Sequence, residues 1–310
     1  MGIRIKSCGS YLPPHVFHNN DFSQHFETSH QWILERTGIE ERRFADQSTK
    51  TYEMGALAAL NALNNASYSA QDIDAIIVAS TTPDEIFPGT AVHIQREIGA
   101  KNAFAFDVQA VCAGFVYGLT IARSFILSNQ AKKVLVVGCE KFSSLLDFKD
   151  RTTAILFGDG AGAMILEESN DLEDNGFSVL KSDGNFAHLL NCSSPQNIYM
   201  SGKDVFKNGI LLMSNVCKEL LQIENISIEN IDCFVPHQAN LRIIKGIADN
   251  LDCPLEKIAI SIQKHGNTSA ASIPLAFSDA IATQQIKKGD NILFTALGGG
   301  LAWGAVRLIF

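Results

Sequence analysis

Residues 73–78 read IDAIIV and residues 231–236 read IDCFVP. Each follows a helix-to-strand linker of the same length, Ser69 matches Ser227 and Asp74 matches Asp232, so the two stretches stand 158 positions apart. Carried on without a gap, that offset lays the apolar run 134–136 on 292–294, strand on strand. It also sets the turn at Cys112 beside the turn that begins at Asn267. Two strands and one turn repeated at about half the chain length indicate an internal duplication. The competing reading is chance agreement between short apolar strands, since only a few positions are identical. In a duplicated chain, equivalent strand-to-helix turns lie near one twofold axis, and Cys112 and Asn267 then share a site.

Outward from these stretches, apolar runs of strand length (73–80, 104–108, 134–138, 163–166, 233–236 and 292–297) alternate with helical stretches such as 52–64 and 114–128. The alternation is that of an α/β protein. A chain of 310 residues exceeds the usual size of one core, so two halves are expected, residues 1–165 carrying Cys112 and residues 166–310 carrying His237 and Asn267.

Hydrophobic residues make up 46% and charged residues 19%, which excludes a disordered chain and argues against an integral membrane protein. A formal net charge of −8 repels phosphate backbones, and no basic run reverses it locally, so nucleic acid is not an expected partner. The start MGIRIKSCGSYLPP has no apolar leader and Lys6 stands where a myristoylation signal has Ser or Thr, which implies a cytoplasmic protein. The seven cysteines are scattered, with no CxxC pair and no zinc-type spacing, so neither a disulfide framework nor a metal site is expected.

One cysteine differs from the rest. DVQAVCAGFVYGL places Cys112 after a short strand and just before an apolar helix, where small Ala113 and Gly114 permit close backbone approach. A helix N-terminus offers free N–H groups and partial positive charge, which lower a thiol's pKa and stabilise an oxyanion. FVPHQANLRII ends a strand at His237 and begins a helix near Ala239, a position where α/β proteins carry site residues. HGNTSAASIPLA sets Asn267 beside Gly266 before another helix, and an Asn so placed, taken alone, is more often a turn residue or an N-cap than a site residue. LGGGLAWG gives three glycines, Gly298 to Gly300, after a strand. No GxGxxG with a following acid and no GKS or GKT accompanies them, so the glycines read as backbone that approaches a ligand and donates to an oxyanion.

DVQAVCAGFVYG, VPHQANLRI, HGNTSAAS and LGGGLAWG, together with WILERTGIEERR at Trp32 and LFGDGAGA at Leu156, resemble the β-ketoacyl-acyl carrier protein synthase III family of the thiolase-like superfamily. The resemblance covers nearly the whole chain. It implies the five-layer α/β/α/β/α thiolase-like fold, a homodimer, no metal or redox cofactor, and catalysis by Cys112, His237 and Asn267. The implied reaction is decarboxylative condensation of a short acyl-CoA, usually acetyl-CoA, with malonyl-acyl carrier protein through an acyl-Cys112, with the N–H groups of Cys112 and Gly299 as oxyanion hole. Trp32, Arg36 and Arg151 match the family's coenzyme A contacts. Phe87, contributed across the dimer, and Leu297 match its acyl pocket. The implied carrier-protein surface runs from Gln238 through Ala239, Asn240 and Leu241 to Arg242 and Lys245. Helical spacing there buries Leu241, Ile244 and Ala248 and leaves Arg242 and Lys245 outward.

The chain also departs from the family pattern. The Cys-to-His interval is shorter than usual, in the irregular stretch 183–201, Leu297 stands where many relatives have Phe, Val111 where Ala is common, and Gly89 where Ser is more usual. On the residues, three rival readings stay open: an acyltransferase on the same scaffold that does not elongate or serves a secondary pathway, a cysteine hydrolase, and a non-catalytic carrier-binding protein.

Overall fold

The computed structural model describes residues 2–171 and 176–310. Its principal strands are β1 (Gly2–Tyr11), β2 (Ala75–Ala79), β3 (Phe104–Val108), β4 (Lys133–Lys141), β5 (Asp159–Ser169), β6 (Phe177–Ser182), β7 (Cys233–Pro236), β8 (Asn291–Gly298) and β9 (Ala302–Ile309). The principal helices are α1 (His30–Thr37), α2 (Thr51–Ala66), α3 (Thr90–Ile98), α4 (Gly114–Leu127), α5 (Gly202–Glu224), α6 (Leu241–Leu251) and α7 (Ser272–Ala282).

The strands order as β3-β2-β4-β5-β1 in the first half and β7-β8-β9-β6 in the second. Directions agree throughout: β2/β4 and β7/β8 are parallel, while β4/β5, β8/β9, β5/β1 and β9/β6 are antiparallel. A parallel bridge from Phe234 to Ile258 stands where β3 lies against β2. The two sheets join at a single rung, Arg4 beside Ile309. The duplication is therefore real, and the 158-residue offset reaches further than the matched strands. Helices α2 and α5 end at Ala66 and Glu224, and α4 and α7 begin at Gly114 and Ser272.

Burial explains the layering. Alternate residues of the strands face opposite ways, and both faces are apolar. Ile77, Val134 and Val136 turn inward onto α4 and α7, whereas Ile76, Leu135 and Val137 face α2 and α3. In the second half Phe234 and Leu293 face α5 and α6 while Val235 and Phe294 turn inward. Helix α4 buries a broad face, Gly114, Phe115, Val116, Gly118, Leu119, Ala122 and Ile126, whereas α6 buries one narrower stripe, Ile243, Ile244, Ile247, Ala248 and Leu251. The result is the expected five-layer α/β/α/β/α fold, with α4 and α7 in the middle and both strand-to-helix turns at one end of that layer. Among the described residues, no helix is long and apolar enough to cross a membrane.

Candidate active site

Cys112 sits in a 3-10 turn (Val111–Ala113) between β3 and α4, and the matching turn (Ser269–Ala271) precedes α7. The two turns pack against each other, and the end of β8 lies against the first of them. A Cβ placed on Gly298, at the end of β8, would lie 2.3 Å from the Ala110 carbonyl oxygen and 3.1 Å from the Cys112 nitrogen. Only hydrogen fits there, so the glycine run lies directly against the Cys112 turn. Among the described residues, neither the Cys112 nor the Gly299 N–H donates to a backbone carbonyl.

His237 follows β7 directly and is buried, with its N–H bonded to Thr295 O at 2.8 Å. Its Nδ1 meets the Ser272 hydroxyl at 2.6 Å, and that hydroxyl also accepts from the Gln238 N–H at 3.2 Å. When the Ser272 O–H donates to Nδ1, the imidazole proton sits on Nε2. Burial lowers the His237 pKa to about 3, so the ring is neutral. Asn267 is held by its backbone between Leu156 and Gly158. Its Oδ1 accepts from the Ser269 N–H at 2.9 Å, which leaves the side-chain amide as its free end.

Cys112, His237 and Asn267 line one cavity of about 110 Å³, otherwise walled by apolar side chains such as Leu156, Met213 and Leu297. A second cavity of about 530 Å³ shares Cys112 and is lined by Val111, Tyr117, Cys192 and Gly299. The irregular stretch 183–201 forms the wall between them. It folds into a small hairpin, Leu190–Cys192 against Ile198–Met200, and Leu190 lines both cavities. Leu297 belongs to the narrow cavity alone, not to the wider one.

Burial changes the expected electrostatics of Cys112. Instead of being lowered by the helix end, the resting Cys112 thiol is pushed up to about 12, first by desolvation, with Glu140 adding to the rise and Ser269 opposing it. A fully buried sulfur loses more by desolvation than one short turn of N–H groups restores.

The remaining predicted residues separate into groups. Trp32, Arg36 and Arg151 come together: the two guanidinium carbons stand 4.2 Å and 4.5 Å from the indole centroid. Arg151 donates to Glu27 O at 3.1 Å rather than pairing with a neighbouring aspartate. Arg242 and Lys245 are exposed, with Arg242 5.2 Å from the Phe206 ring, and Leu241 is half-buried. Asn240 caps α6 through the Arg242 N–H at 2.8 Å and ties it to Arg36 O at 2.9 Å, and with Ala239 it lines the narrow cavity. Gln238 does not belong on a carrier surface. It is 1% exposed, its amide nitrogen bonds Pro236 O and Ala259 O, and its oxygen accepts from the Ser261 N–H. Phe87 projects outward at 82% exposure beside Ile86 at 98%, away from its own chain's cavities. Ser272, which the sequence reading passed over, carries the clearest signal in retrospect: it is a hydroxyl at the first residue of α7, at the 158-residue offset from Gly114.

A family model for the 3-oxoacyl-[acyl-carrier-protein] synthase III C terminal matches residues 221–309, and a second for 3-oxoacyl-[acyl-carrier-protein] synthase III matches residues 106–196. A β-ketoacyl-[acyl-carrier-protein] synthase III of Aquifex aeolicus is 46% identical over 308 residues, covering 99% of each chain. One of Brucella anthropi is 45% identical, covering 98% of each. The crystal structure of the Aquifex aeolicus 3-oxoacyl-[acyl-carrier-protein] synthase III superposes with a TM-score of 0.96 at 44% identity over the whole of both chains. A priming β-ketosynthase of the R1128 polyketide biosynthetic pathway superposes at 0.94 with 32% identity, covering 100% of this chain and 96% of that one.

Proposed function

The chain belongs to the 3-oxoacyl-[acyl-carrier-protein] synthase III family and is a condensing enzyme of the acyltransferase type, and from that premise we propose that it joins acetyl-CoA to malonyl-acyl carrier protein through an acyl-Cys112. The observation that carries this reading is the meeting of Cys112, His237 and Asn267 on one apolar cavity.

Cys112 takes the acetyl group from coenzyme A, and the tetrahedral oxyanion is held by the uncommitted N–H groups of Cys112 and Gly299. After coenzyme A leaves, the malonyl thioester of the carrier occupies the same narrow cavity and loses CO₂. As negative charge grows on the thioester oxygen, the His237 Nε2–H and the Asn267 amide donate to it. The imidazole that stays neutral to about pH 3 suits this task, because it donates without presenting a basic nitrogen to the site. The carbanion then attacks the acyl-Cys112 carbonyl, giving the β-ketoacyl product and freeing the sulfur.

Trp32, Arg36 and Arg151 form the landing place for the nucleotide end of coenzyme A, where a purine stacking on the indole replaces one guanidinium and meets the other's charge. Arg242 and Lys245 meet the acidic carrier on an otherwise acidic protein. The exposed apolar residues Ile86, Phe87 and Phe104 favour a homodimer in which Phe87 closes the partner's wider cavity and restricts it to a short primer.

Mass spectrometry of protein mixed separately with acetyl-, isobutyryl- and octanoyl-CoA tests the reading. The acetyl adduct is expected on Cys112, it persists without malonyl-carrier, and malonyl-carrier discharges it with release of CO₂. Retention of transfer and condensation by Cys112→Ala overturns the proposal. Rapid spontaneous loss of the adduct to water favours a hydrolase.

A further inference from the structure

Strand β4 carries a carboxyl group into the centre of the molecule. Glu140 is wholly buried and, among the described residues, has no cation paired with it, since the next residue, Lys141, turns its ammonium to the carbonyls of Asp46, Gln47 and Thr49. A buried carboxyl without a counter-charge is costly and calls for an explanation. Its Oε2 accepts from the Thr81 N–H at 3.0 Å and the Thr82 hydroxyl at 2.8 Å. The Thr82 hydroxyl itself accepts from the Lys141 N–H at 2.8 Å, so its single proton is committed to Glu140.

Glu140 Oε1 completes no hydrogen bond, and neither does the buried Ser269 hydroxyl. Yet Ser269 lies close enough to ease the ionisation of both Glu140 and Cys112. Its backbone is pinned by the Asn267 side chain in a left-handed conformation, φ +50°. The turn that carries this hydroxyl packs against both the Cys112 turn and β4, so a hydroxyl with no fixed partner lies between the thiol and a carboxyl oxygen that also has none.

We propose that Glu140, acting through the Ser269 hydroxyl, holds the proton of Cys112 for as long as that sulfur is acylated. The proposal rests on the acyl-Cys112 reading above. In the first half-reaction the Cys112 S–H proton passes to Ser269 Oγ while the Ser269 proton passes to Glu140 Oε1. The sulfur then forms its bond to the acetyl carbon, and coenzyme A departs as thiolate and is protonated by solvent. In the second half-reaction the enolate displaces the Cys112 thiolate, and the proton returns from Glu140 through Ser269 to the sulfur. The negative charge that enters as the malonyl carboxylate leaves as the coenzyme A thiolate, and the buried site stays neutral while acylated. Glu140 is a positioning residue in this scheme, since it touches no substrate.

Burial raises the Glu140 carboxyl to about pH 7, partly offset by the hydrogen bonds from Thr81 and Thr82 and by the nearness of the Ser269 hydroxyl and the Ala270 N–H. The titratable groups that feel its charge are the thiols of Cys112 and Cys139. Below its pKa the carboxyl already holds a proton and cannot take another, so Cys112 reactivity falls as pH drops through about 7.

Alkylation of Cys112 by iodoacetamide, followed by peptide mass spectrometry between roughly pH 5 and 9, reads the relay without any acyl donor. Glu140→Gln and Ser269→Ala are expected to slow alkylation and acetyl transfer by about 100-fold and to remove the acid limb. CO₂ release from malonyl-carrier should stay within about twofold of the parent, and Glu140→Asp should restore the limb in part. Unchanged alkylation in either variant, or an equal loss of alkylation and decarboxylation with the limb intact, overturns the relay. A normal limb in a protein that forms no acetyl adduct sinks the acyl-CoA reading and leaves the relay standing.

Discussion

Val111 and Ser269, 158 positions apart, hold the same left-handed backbone, with φ of +49° and +50°. One immediately precedes Cys112 and the other lies two residues beyond Asn267, so each half of the molecule bends its chain in the same way beside a side chain of the candidate site. For a β-branched residue such a conformation costs about 1–3 kcal/mol. Val111→Gly should relieve that strain and raise unfolding free energy by about 1 kcal/mol in urea titration. Acetyl transfer should nonetheless slow, because the turn that aims the sulfur gains freedom. A destabilised Val111→Gly protein contradicts the assignment of strain.

Ser272 is the hydroxyl partner of His237 Nδ1. Removing its hydroxyl by Ser272→Ala leaves both the imidazole Nδ1 and the Gln238 N–H without a partner. Decarboxylation of malonyl-carrier should fall about 10- to 100-fold while acetylation of Cys112 changes little, since the latter does not use the imidazole. Equal losses in both half-reactions would assign Ser272 a purely structural role.

His237 sets a pH dependence of stability. Its folded pKa, about 3, lies below the ordinary value of 6.5, so between those limits the unfolded chain binds a proton that the native protein refuses. The stability it contributes is full above pH 6.5 and is lost as pH falls toward 3, by about 1.4 kcal/mol per pH unit. Urea midpoints measured across that range should fall less steeply in His237→Gln than in the parent by about this amount. Parallel curves would show that the ring is not buried neutral.

Trp32 is flanked by two guanidiniums, and its loss frees both. Trp32→Ala should raise KM for acetyl-CoA about tenfold and leave kcat for preloaded acyl-enzyme unchanged, as read in steady-state and single-turnover assays. An unaltered KM excludes the indole from the nucleotide's path.

The sequence carried the duplicated plan clearly, because apolar strands with buried faces on both sides leave an unmistakable record at Ile73 and Ile231. It carried Cys112, His237 and Asn267 through the turns that bear them. Gln238 misled because a polar residue next to a site looks exposed in one dimension, whereas here its amide closes a gap between backbone carbonyls. The thiol's raised pKa was likewise hidden, since a helix start is visible in sequence while the depth of the pocket over it is not. Strands β1 and β6 and the hairpin at 190–200 were illegible for a simpler reason. Their pairing depends on partners far along the chain, and their own residues keep no strict alternation.

The depth at which Cys112 lies has a bearing on chemical damage. Peroxide attacks thiolates, and a sulfur kept protonated behind an apolar passage presents little of that form between turnovers. Cys192 stands in the open at the rim of the wider cavity and meets any oxidant first. The fold thus shields Cys112 with the same dryness that makes its sulfur hard to ionise, and leaves Cys192 in the open.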